Sequence, residues 1–183
     1  VNLHPIKINC VVQKGVNDHT IVDLARFCKA RGYIARFIEY MDVGTINGWK
    51  MEQVVSADEI AHIINQEMPL EPILESYYGK VAQRYRYRYE DGEIGIIASV
   101  TKPFCGACTR ARLSTDGKLY TCLFAGSGRD LREPLRSGAS DTELRDLIAS
   151  IWAFRVDRYS EERSDLGRAG VERKKIEMYQ IGG

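Results

Sequence analysis

The chain has 183 residues, of which 44% are hydrophobic and 28% charged, and its formal net charge is +1. This length is enough for one sizeable hydrophobic core or two small ones. A net charge near zero gives no overall attraction to nucleic acid or to an anionic membrane, so an anion would have to be bound by a local cluster of cations. The sequence has no long apolar stretch of the kind expected for a transmembrane span or a signal peptide.

The chain opens with a pattern typical of a strand followed by a helix. Alternation over residues 6–12 predicts a strand whose apolar side chains share one face, with Lys7 on the other. Asn17 or Asp18 is placed to cap a helix with apolar residues at three-and-four spacing. Gly32 is placed to end that helix.

A second strand, over residues 34–41, completes the unit and carries Arg36. Strands that are apolar almost throughout and joined by a helix pair in parallel through a right-handed crossover. Lys7 and Arg36 occupy comparable places in the two strands. They either face a common ligand inside a barrel or lie on an exposed edge.

Two capping boxes predict helix starts farther along the chain. Ser56–Glu59 and Ser140–Glu143 each place a serine three residues before a glutamate. The first helix is expected to end before Pro69. The second is expected to bury an apolar face made of Leu144, Leu147, Ile148, Ile151 and Trp152.

A strand of alternating arginine and tyrosine lies between the two capping boxes. Arg84, Arg86 and Arg88 alternate with tyrosines, and an Asp91–Gly92 turn leads into an apolar strand over 94–100. Interleaved arginine and tyrosine can stack on single-stranded nucleic acid. Strict alternation is also what any half-buried strand shows, and this favours a solvated arginine face over a packed tyrosine face.

Three of the five cysteines are grouped. Cys105 and Cys108 form a CxxC, and Cys122 follows an Asp116–Gly117 pair that predicts a hairpin. If that pair is a two-residue turn, Leu113 faces Tyr120 and Ala111 faces Cys122. The hairpin would then bring the third thiol close to the CxxC. The other two cysteines, Cys10 and Cys28, lie at positions expected to pack in the core.

The grouped thiols predict a metal site with an open coordination position. A CxxC places two sulfurs on one turn, which suits tetrahedral zinc or an iron–sulfur cluster equally well. The three histidines of the chain lie far upstream, so a fourth protein ligand is missing nearby. A redox pair or two buried thiols are the alternatives. The odd number of cysteines fits a reducing, cytoplasmic compartment better than a disulfide framework.

Two arginines stand beside the predicted metal site. Arg110 and Arg112 leave the CxxC along an expected strand, with Ala111 between them, so both point to the same side. Two guanidinium forks suit a phosphate or a carboxylate. Exposed arginines are also common on strands.

The chain ends with Gly182 and Gly183. A terminal Gly-Gly is commonly a frayed end. It is also a thin tail that could enter a narrow active site or serve as a conjugation terminus. The chain begins at Val1 rather than at a methionine, so we expect a fragment or a processed chain.

Six ordered segments span nearly the whole chain: KINCVVQKGVND at 7–18, RFIEYM at 36–41, FCGACTRARL at 104–113, the Asp-Gly pair, CLF at 122–124 and the final IGG. Together they closely resemble the molybdenum cofactor biosynthesis protein A family, whose members are GTP 3′,8-cyclases. The resemblance covers only the C-terminal part of such an enzyme. The family's N-terminal CxxxCxxC, which holds the cluster that cleaves S-adenosylmethionine, is absent from this sequence.

The resemblance implies a radical S-adenosylmethionine lyase that converts GTP to (8S)-3′,8-cyclo-7,8-dihydroguanosine 5′-triphosphate. A second [4Fe–4S] cluster would be held by Cys105, Cys108 and Cys122, with one iron open to guanine. By matching position, Lys7, Arg36, Arg110, Ala111 and Arg112 would bind GTP, Met41 would line the S-adenosylmethionine site, and Gly182 and Gly183 would belong to a catalytic tail. The fragment alone is expected to be inactive.

The resemblance also implies the architecture and the partners. We expect an α/β fold: residues 1–68 as the C-terminal portion of an incomplete, TIM-like (βα) barrel, and 69–183 as an α+β domain whose antiparallel hairpins carry the iron–sulfur cluster and bind GTP. The edge strand of the incomplete barrel would be unpaired and would pair with strands of the missing N-terminal half. A homodimer is also expected. Neither nucleic acid nor a membrane is an expected partner.

Two readings from other classes stay open. One is a non-catalytic zinc- or nucleotide-binding module. The other is an RNA-binding protein that uses the arginine–tyrosine strand.

Overall fold

The computed structural model describes residues 3–74, 78–168 and 175–181. The chain divides into two compact units. The first unit comprises Val1–Met41 and Trp49–Cys108, and the second comprises Asp42–Gly48 and Thr109–Gly183. In the described residues, no helix is both long enough and apolar enough to cross a membrane.

A mixed sheet with helices on one face forms the first unit. Its described strands stand in the order β1, β2, β5, β4, β3. Their bounds are β1 Lys7–Val12, β2 Ile34–Glu39, β3 Leu70–Pro72, β4 Gln83–Tyr87 and β5 Glu93–Ile97, and the helices are α1 Ile21–Ala30 and α2 Ala57–Glu67. The sheet therefore takes strands from both sides of residue 68, where a domain boundary is predicted.

Parallel pairing of the first two strands is confirmed, with Lys7 opposite Ile34 and Asn9 opposite Arg36. The hairpin of β4 and β5 is confirmed as well. The sequence pattern did not indicate that β5 also pairs in parallel with β2. Its apolar run fits this central place, because Ile94 and Ile96 are fully buried. The mixed α/β fold class is thus confirmed.

The core of the first unit lies between the sheet and its two helices. Phe37 from β2 packs among Ile21 of α1 and Ile60 and Ile64 of α2, and all four are almost completely buried. The opposite face of the sheet carries Lys7 and Arg36 by the alternation of the strands. The helix that starts at Ser56 has the predicted capping box.

The predicted caps of α1 are wrong. Neither Asn17 nor Asp18 caps it, since α1 begins at Ile21 after a 3₁₀ turn over Asp18–Thr20. The Asn17 side chain instead accepts a hydrogen bond from the Gln13 amide and donates one to the Val11 carbonyl. It therefore fixes the exit of the chain from β1.

A buried carboxylate joins three parts of the first unit. Glu39, at the end of β2, has no exposed surface. Its oxygens accept hydrogen bonds from the backbone amides of Ala57, Val100 and Thr101 at 2.7–2.8 Å, and from the Thr101 hydroxyl. Because Ala57 opens α2, the carboxylate also lies at a helix N-terminus, where a negative charge is stabilised.

The second unit contains a small antiparallel sheet in the order β6, β7, β8, followed by helices. The bounds are β6 Arg112–Leu113, β7 Lys118–Tyr120, β8 Arg129–Asp130, α3 Arg132–Arg136, α4 Asp141–Ala153 and α5 Tyr159–Arg168.

The predicted register of the cysteine hairpin is wrong by one residue. Leu113 faces Leu119 rather than Tyr120, so Ala111 does not face Cys122 in this register. The cause is a turn longer than the Asp116–Gly117 pair. The Ser114 amide donates to the Lys118 carbonyl at 2.9 Å and the Gly117 amide donates to the Ser114 carbonyl at 3.0 Å. The loop therefore has three residues, 115–117, and ends at Gly117, whose φ is +82°.

The capping box of α4 is confirmed at Ser140, but its predicted burial is wrong. None of its residues is buried in the structure as described. Ile148 is 40% exposed, and the other four predicted apolar residues are half-buried at most. Helical spacing predicts which side chains share a face, whereas burial depends on what covers that face.

Replacing Glu39 with glutamine tests the buried carboxylate. The glutamine amide group would point a donor at backbone donors, so Glu39→Gln should lower the free energy of unfolding by about 2–4 kcal/mol. Denaturant unfolding followed by circular dichroism measures it. The control is Glu71→Gln, because Glu71 forms a largely exposed pair with Arg86 that should contribute less than about 1 kcal/mol. Equal effects of the two variants would contradict the assigned role.

Candidate functional site

A cation-lined cavity of about 410 Å³ opens on the face of the first unit's sheet that the helices leave uncovered. Two residues singled out from the sequence, Lys7 and Arg36, both line it. Their neighbours in the lining include Lys80, Arg84, Glu93 and Gly95. Four cationic side chains thus stand against one carboxylate, a composition that favours an anion.

Sequence reasoning did not assign Lys80, Arg84 or Gly95 to this site. The alternation with tyrosine predicts a solvated face for Arg84 and is the signal in the sequence that singles it out. The structure pairs it with Glu93 of the neighbouring strand. On the tyrosine side, Tyr87 is 5% exposed and lies under the Lys29 ammonium, so the packed tyrosine face is confirmed there.

The CxxC forms one tight turn at the end of the first unit. Cys105–Ala107 is a 3₁₀ turn, and the Cys108 amide donates to the Cys105 carbonyl at 3.2 Å. A second cavity, of about 580 Å³, is lined by Phe104 and Ala107 of this turn and by Lys102. Residues 80–82 line both cavities, so the cation-lined cavity and the cysteine turn are neighbours.

The third grouped cysteine, Cys122, belongs to the second unit. Its sulfur accepts a hydrogen bond from the Phe124 amide at 3.4 Å. All three grouped cysteines are half-buried thiols, and soft thiolates are the donors that zinc and iron–sulfur clusters require. The donor type of each of these cysteines suits such a group, and their grouping into one site stays a prediction. Across the described ranges, no three His, Cys, Asp or Glu side chains form a metal-binding group.

The two remaining cysteines differ from these three. Cys28 is completely buried in the core and Cys10 packs against it. Burial raises the pKa of both thiols, which makes them poor ligands and poor nucleophiles. Their predicted packing role is confirmed.

Arg110 and Arg112 lie in the second unit. Arg112 begins β6, and Arg110 lies two residues before it. Both are half-buried, and Ala111 between them is exposed. Since the strand begins only at Arg112, the prediction that the two guanidiniums share a side stays a prediction.

A buried ion network follows Met41 in the second unit. The Asp42 carboxylate, 8% exposed, accepts hydrogen bonds from Tyr159, from Arg163 Nε at 2.9 Å and from Lys175 Nζ at 2.7 Å. Burial alone would raise the pKa of Asp42, but these bonds to cations and a hydroxyl outweigh it and hold the pKa below its ordinary value. The Phe124 ring stacks on Tyr159 beside the network.

The loop after Asp42 holds the segment that leads to the C-terminus. The Thr45 amide and hydroxyl both donate to Glu177 Oε1 at 2.8 Å. Gly44 has φ +68°, and a Cβ there would lie 2.0 Å from Glu177 Oε2. We call these contacts the Thr45–Glu177 clasp. The predicted catalytic residues Gly182 and Gly183 lie outside the described residues.

Comparison with known proteins places the chain in a family. Residues 33–161 match the family described as Molybdenum Cofactor Synthesis C. The chain belongs to that family. Its curated relatives include GTP 3′,8-cyclases of Staphylococcus saprophyticus, at 46% identity, and Staphylococcus carnosus, at 48%, each over 97% of this chain and 53% of the relative. The GTP 3′,8-cyclase of Acidothermus cellulolyticus is 46% identical over 98% of this chain and 56% of the relative.

The resemblance seen in the sequence motifs is therefore confirmed. This Molybdenum Cofactor Synthesis C chain spans about half the length of the curated relatives it matches.

The clasp of this Molybdenum Cofactor Synthesis C chain can be tested at Gly44. Gly44→Ala should displace Glu177 and speed hydrogen exchange at the Gln180 and Ile181 amides about tenfold, since losing a charge-assisted hydrogen bond costs about 1.5 kcal/mol or more. Gly48→Ala is the matched control, because Gly48 has φ +56° in the same loop but open space around its Cβ position. Similar exchange in both variants would attribute the effect to backbone strain alone.

The Asp42 network predicts a pH dependence. A carboxylate with a depressed folded-state pKa adds stability above its unfolded pKa, and this stability is lost as pH falls through the folded value. Asp42→Asn should lower the free energy of unfolding by about 3 kcal/mol at pH 7, because it leaves Arg163 and Lys175 buried without a carboxylate.

The difference between the parent chain and Asp42→Asn should shrink below about pH 4, where aspartate protonates. Denaturant unfolding at pH 7, 4 and 3 measures it. A difference that stays constant with pH would show that Asp42 acts through packing and not through its charge.

Proposed function

We propose that this chain is the GTP-binding, cluster-holding part of a GTP 3′,8-cyclase that acts with S-adenosylmethionine in molybdenum cofactor biosynthesis. The observation that carries the proposal is the cation-lined cavity with Lys7 and Arg36, which shares residues 80–82 with the cavity at the CxxC turn. Family membership and the names of the curated relatives support the reaction.

The reaction requires that the protein hold GTP at both its phosphate end and its base end. A nucleoside radical must be kept from water and close to the carbon that it attacks. We assign the phosphates of GTP to Lys7 and Arg36, and the base end to the cysteine turn with Arg110, Ala111 and Arg112. The guanidinium and ammonium donors match phosphate oxygens by charge and by geometry.

Cys105, Cys108 and Cys122 are proposed to hold a [4Fe–4S] cluster. When bound, the cluster would supply an iron without a protein ligand, which can bind the guanine base. The role of the cysteine turn is to present two thiolates in a fixed pair, and the Phe124 amide supports the third. The local contacts and donor types support this assignment.

Met41 and the C-terminal tail are proposed to complete the site. Met41 lies two residues after β2, beyond the carboxyl end of a parallel strand, where barrel enzymes carry their active-site residues. It would line the S-adenosylmethionine site. The Thr45–Glu177 clasp then has a purpose, since it fixes the segment that leads to Gly182 and Gly183.

The open sheet supports a proposal about the missing part of the enzyme. In the described residues, β1 is an edge strand that pairs with β2, and helices α1 and α2 cover one face. An incomplete (βα) barrel would continue from that edge, with earlier strands that carry the CxxxCxxC. We propose that this half is needed for activity, that the whole enzyme is a cytoplasmic homodimer, and that the cluster domain begins after residue 68.

A non-catalytic zinc- or nucleotide-binding module is the second candidate, because the thiols alone suit zinc equally well. RNA binding has less support. Arg84 and Arg86 are ion-paired with Glu93 and Glu71, and Tyr87 is buried, so the alternating strand does not offer an open stacking platform.

Anaerobic reconstitution with iron and sulfide tests the proposal. The chain should take up about four irons, as one cubane cluster requires, and bind GTP. Cys105→Ala should lose both iron and most of the GTP affinity. Iron quantification and titration calorimetry measure the two properties.

Cys10→Ala is the control, because Cys10 is a thiol of the core face of β1 and not one of the three grouped cysteines. It should keep both properties. Zinc without iron, or GTP binding that is indifferent to Cys105, would favour the non-catalytic module.

A further inference from the structure

Three neighbouring strands place two arginines on either side of a glycine. Arg36 of β2 is the partner of Gly95 of β5, and Gly95 is the partner of Arg84 of β4. Partners in register lie on the same face of a sheet. The row Arg36–Gly95–Arg84 therefore crosses the floor of the cation-lined cavity, and all three residues line it.

Gly95 leaves the space between the two guanidiniums open. A Cβ at Gly95 would lie 3.4 Å from Arg36 Cγ and 3.3 Å from Ala82 Cβ. A single methyl group there would already be in tight contact, and a branched side chain would fill the gap between the arginines. The φ angle of Gly95 is not in the left-handed region, so space rather than backbone conformation explains the glycine.

Glu93 holds the Arg84 guanidinium in place. Arg84 Nε donates to Glu93 Oε1 at 3.3 Å, and Nη2 donates to Oε2 at 2.5 Å. The pair is partly buried, with 34% of the Arg84 side chain and 21% of the Glu93 side chain exposed. A two-point contact fixes the plane of the fork, which reduces the entropy that Arg84 would lose on binding an anion.

The same strand contains an ion pair that lacks this setting. Arg86 pairs with Glu71, but the Arg86 side chain is 65% exposed and does not line the cavity. The ion pair of Arg86 shows that an arginine and a glutamate on adjacent strands can pair without any binding site. The ion pair of Arg84 differs because it lies in a concave wall that also carries three other cations.

We propose that Arg84 is a third phosphate-binding residue of this chain, acting with Lys7 and Arg36 on the triphosphate of a nucleotide. Glu93 orients its guanidinium, and Gly95 provides the room in which the phosphates lie. The identity of the nucleotide as GTP rests on the proposed function above. The binding of a polyphosphate rests only on the residues that line this cavity.

Inorganic tripolyphosphate is the direct probe. Titration calorimetry on the full chain should show binding that Arg84→Gln weakens about tenfold or more, since it removes a hydrogen bond between charged groups. Gly95→Val should weaken it similarly by filling the gap. Arg86→Gln, the matched control on the same strand, should change it less than twofold.

A comparison of GTP with guanosine separates phosphate binding from a structural effect. Arg84→Gln should weaken GTP and leave guanosine unchanged, whereas a distorted site would weaken both. Circular dichroism and the unfolding midpoint establish that the variants are folded. Equal losses in Arg84→Gln and Arg86→Gln, or no tripolyphosphate binding by the parent chain, would overturn the proposal.

The two proposals fail separately. If tripolyphosphate binds through Arg84 but GTP binds no better than other nucleoside triphosphates, Arg84 keeps its role and the assignment of GTP is lost. If GTP binds selectively and Arg84→Gln has no effect, the proposed function stands and the role of Arg84 is refuted.

Discussion

The buried carboxylate of Glu39 is the constraint on which the first unit depends. A buried charge is tolerated only when its oxygens are fully hydrogen-bonded, and here the bonds come from the start of α2 and from the segment after β5. If either segment moved away from the end of β2, the buried carboxylate would lose hydrogen bonds. The segment after β5 runs on to Cys105, so the position of the cysteine turn is tied to the sheet.

A second buried carboxylate, three residues later, has the same task in the second unit. Asp42 gathers Tyr159, Arg163 and Lys175, which come from α5 and from the C-terminal segment. The short stretch from residue 39 to residue 42 thus supplies a polar anchor to each unit. Met41, the residue that we propose lines the S-adenosylmethionine site, lies between these two anchored carboxylates.

Local signals predicted local structure well. The capping boxes at Ser56 and Ser140 define helix starts because donor and acceptor lie three residues apart. Lys7 and Arg36 were found because two strands of one unit place them alike. Features set by distant contacts were not predictable: β5 pairs with β2 across more than fifty residues, and Arg84 becomes part of the cation-lined cavity only through that pairing. The hairpin register was missed for a local reason, because an Asp-Gly pair fits a three-residue loop as well as a two-residue turn. The grouping of the three cysteines stays a prediction.

The four cations along the wall of the cavity favour anion binding, but their mutual repulsion lowers the stability of the folded chain. Like charges closer than the screening length of physiological salt repel one another, and Glu93 offsets only part of that repulsion. A polyanion in the cavity would relieve it and would bind the folded chain in preference to the unfolded one. Folding and nucleotide binding are then thermodynamically linked, so the concentration of nucleotide in the cell would help to set how much of this protein is folded.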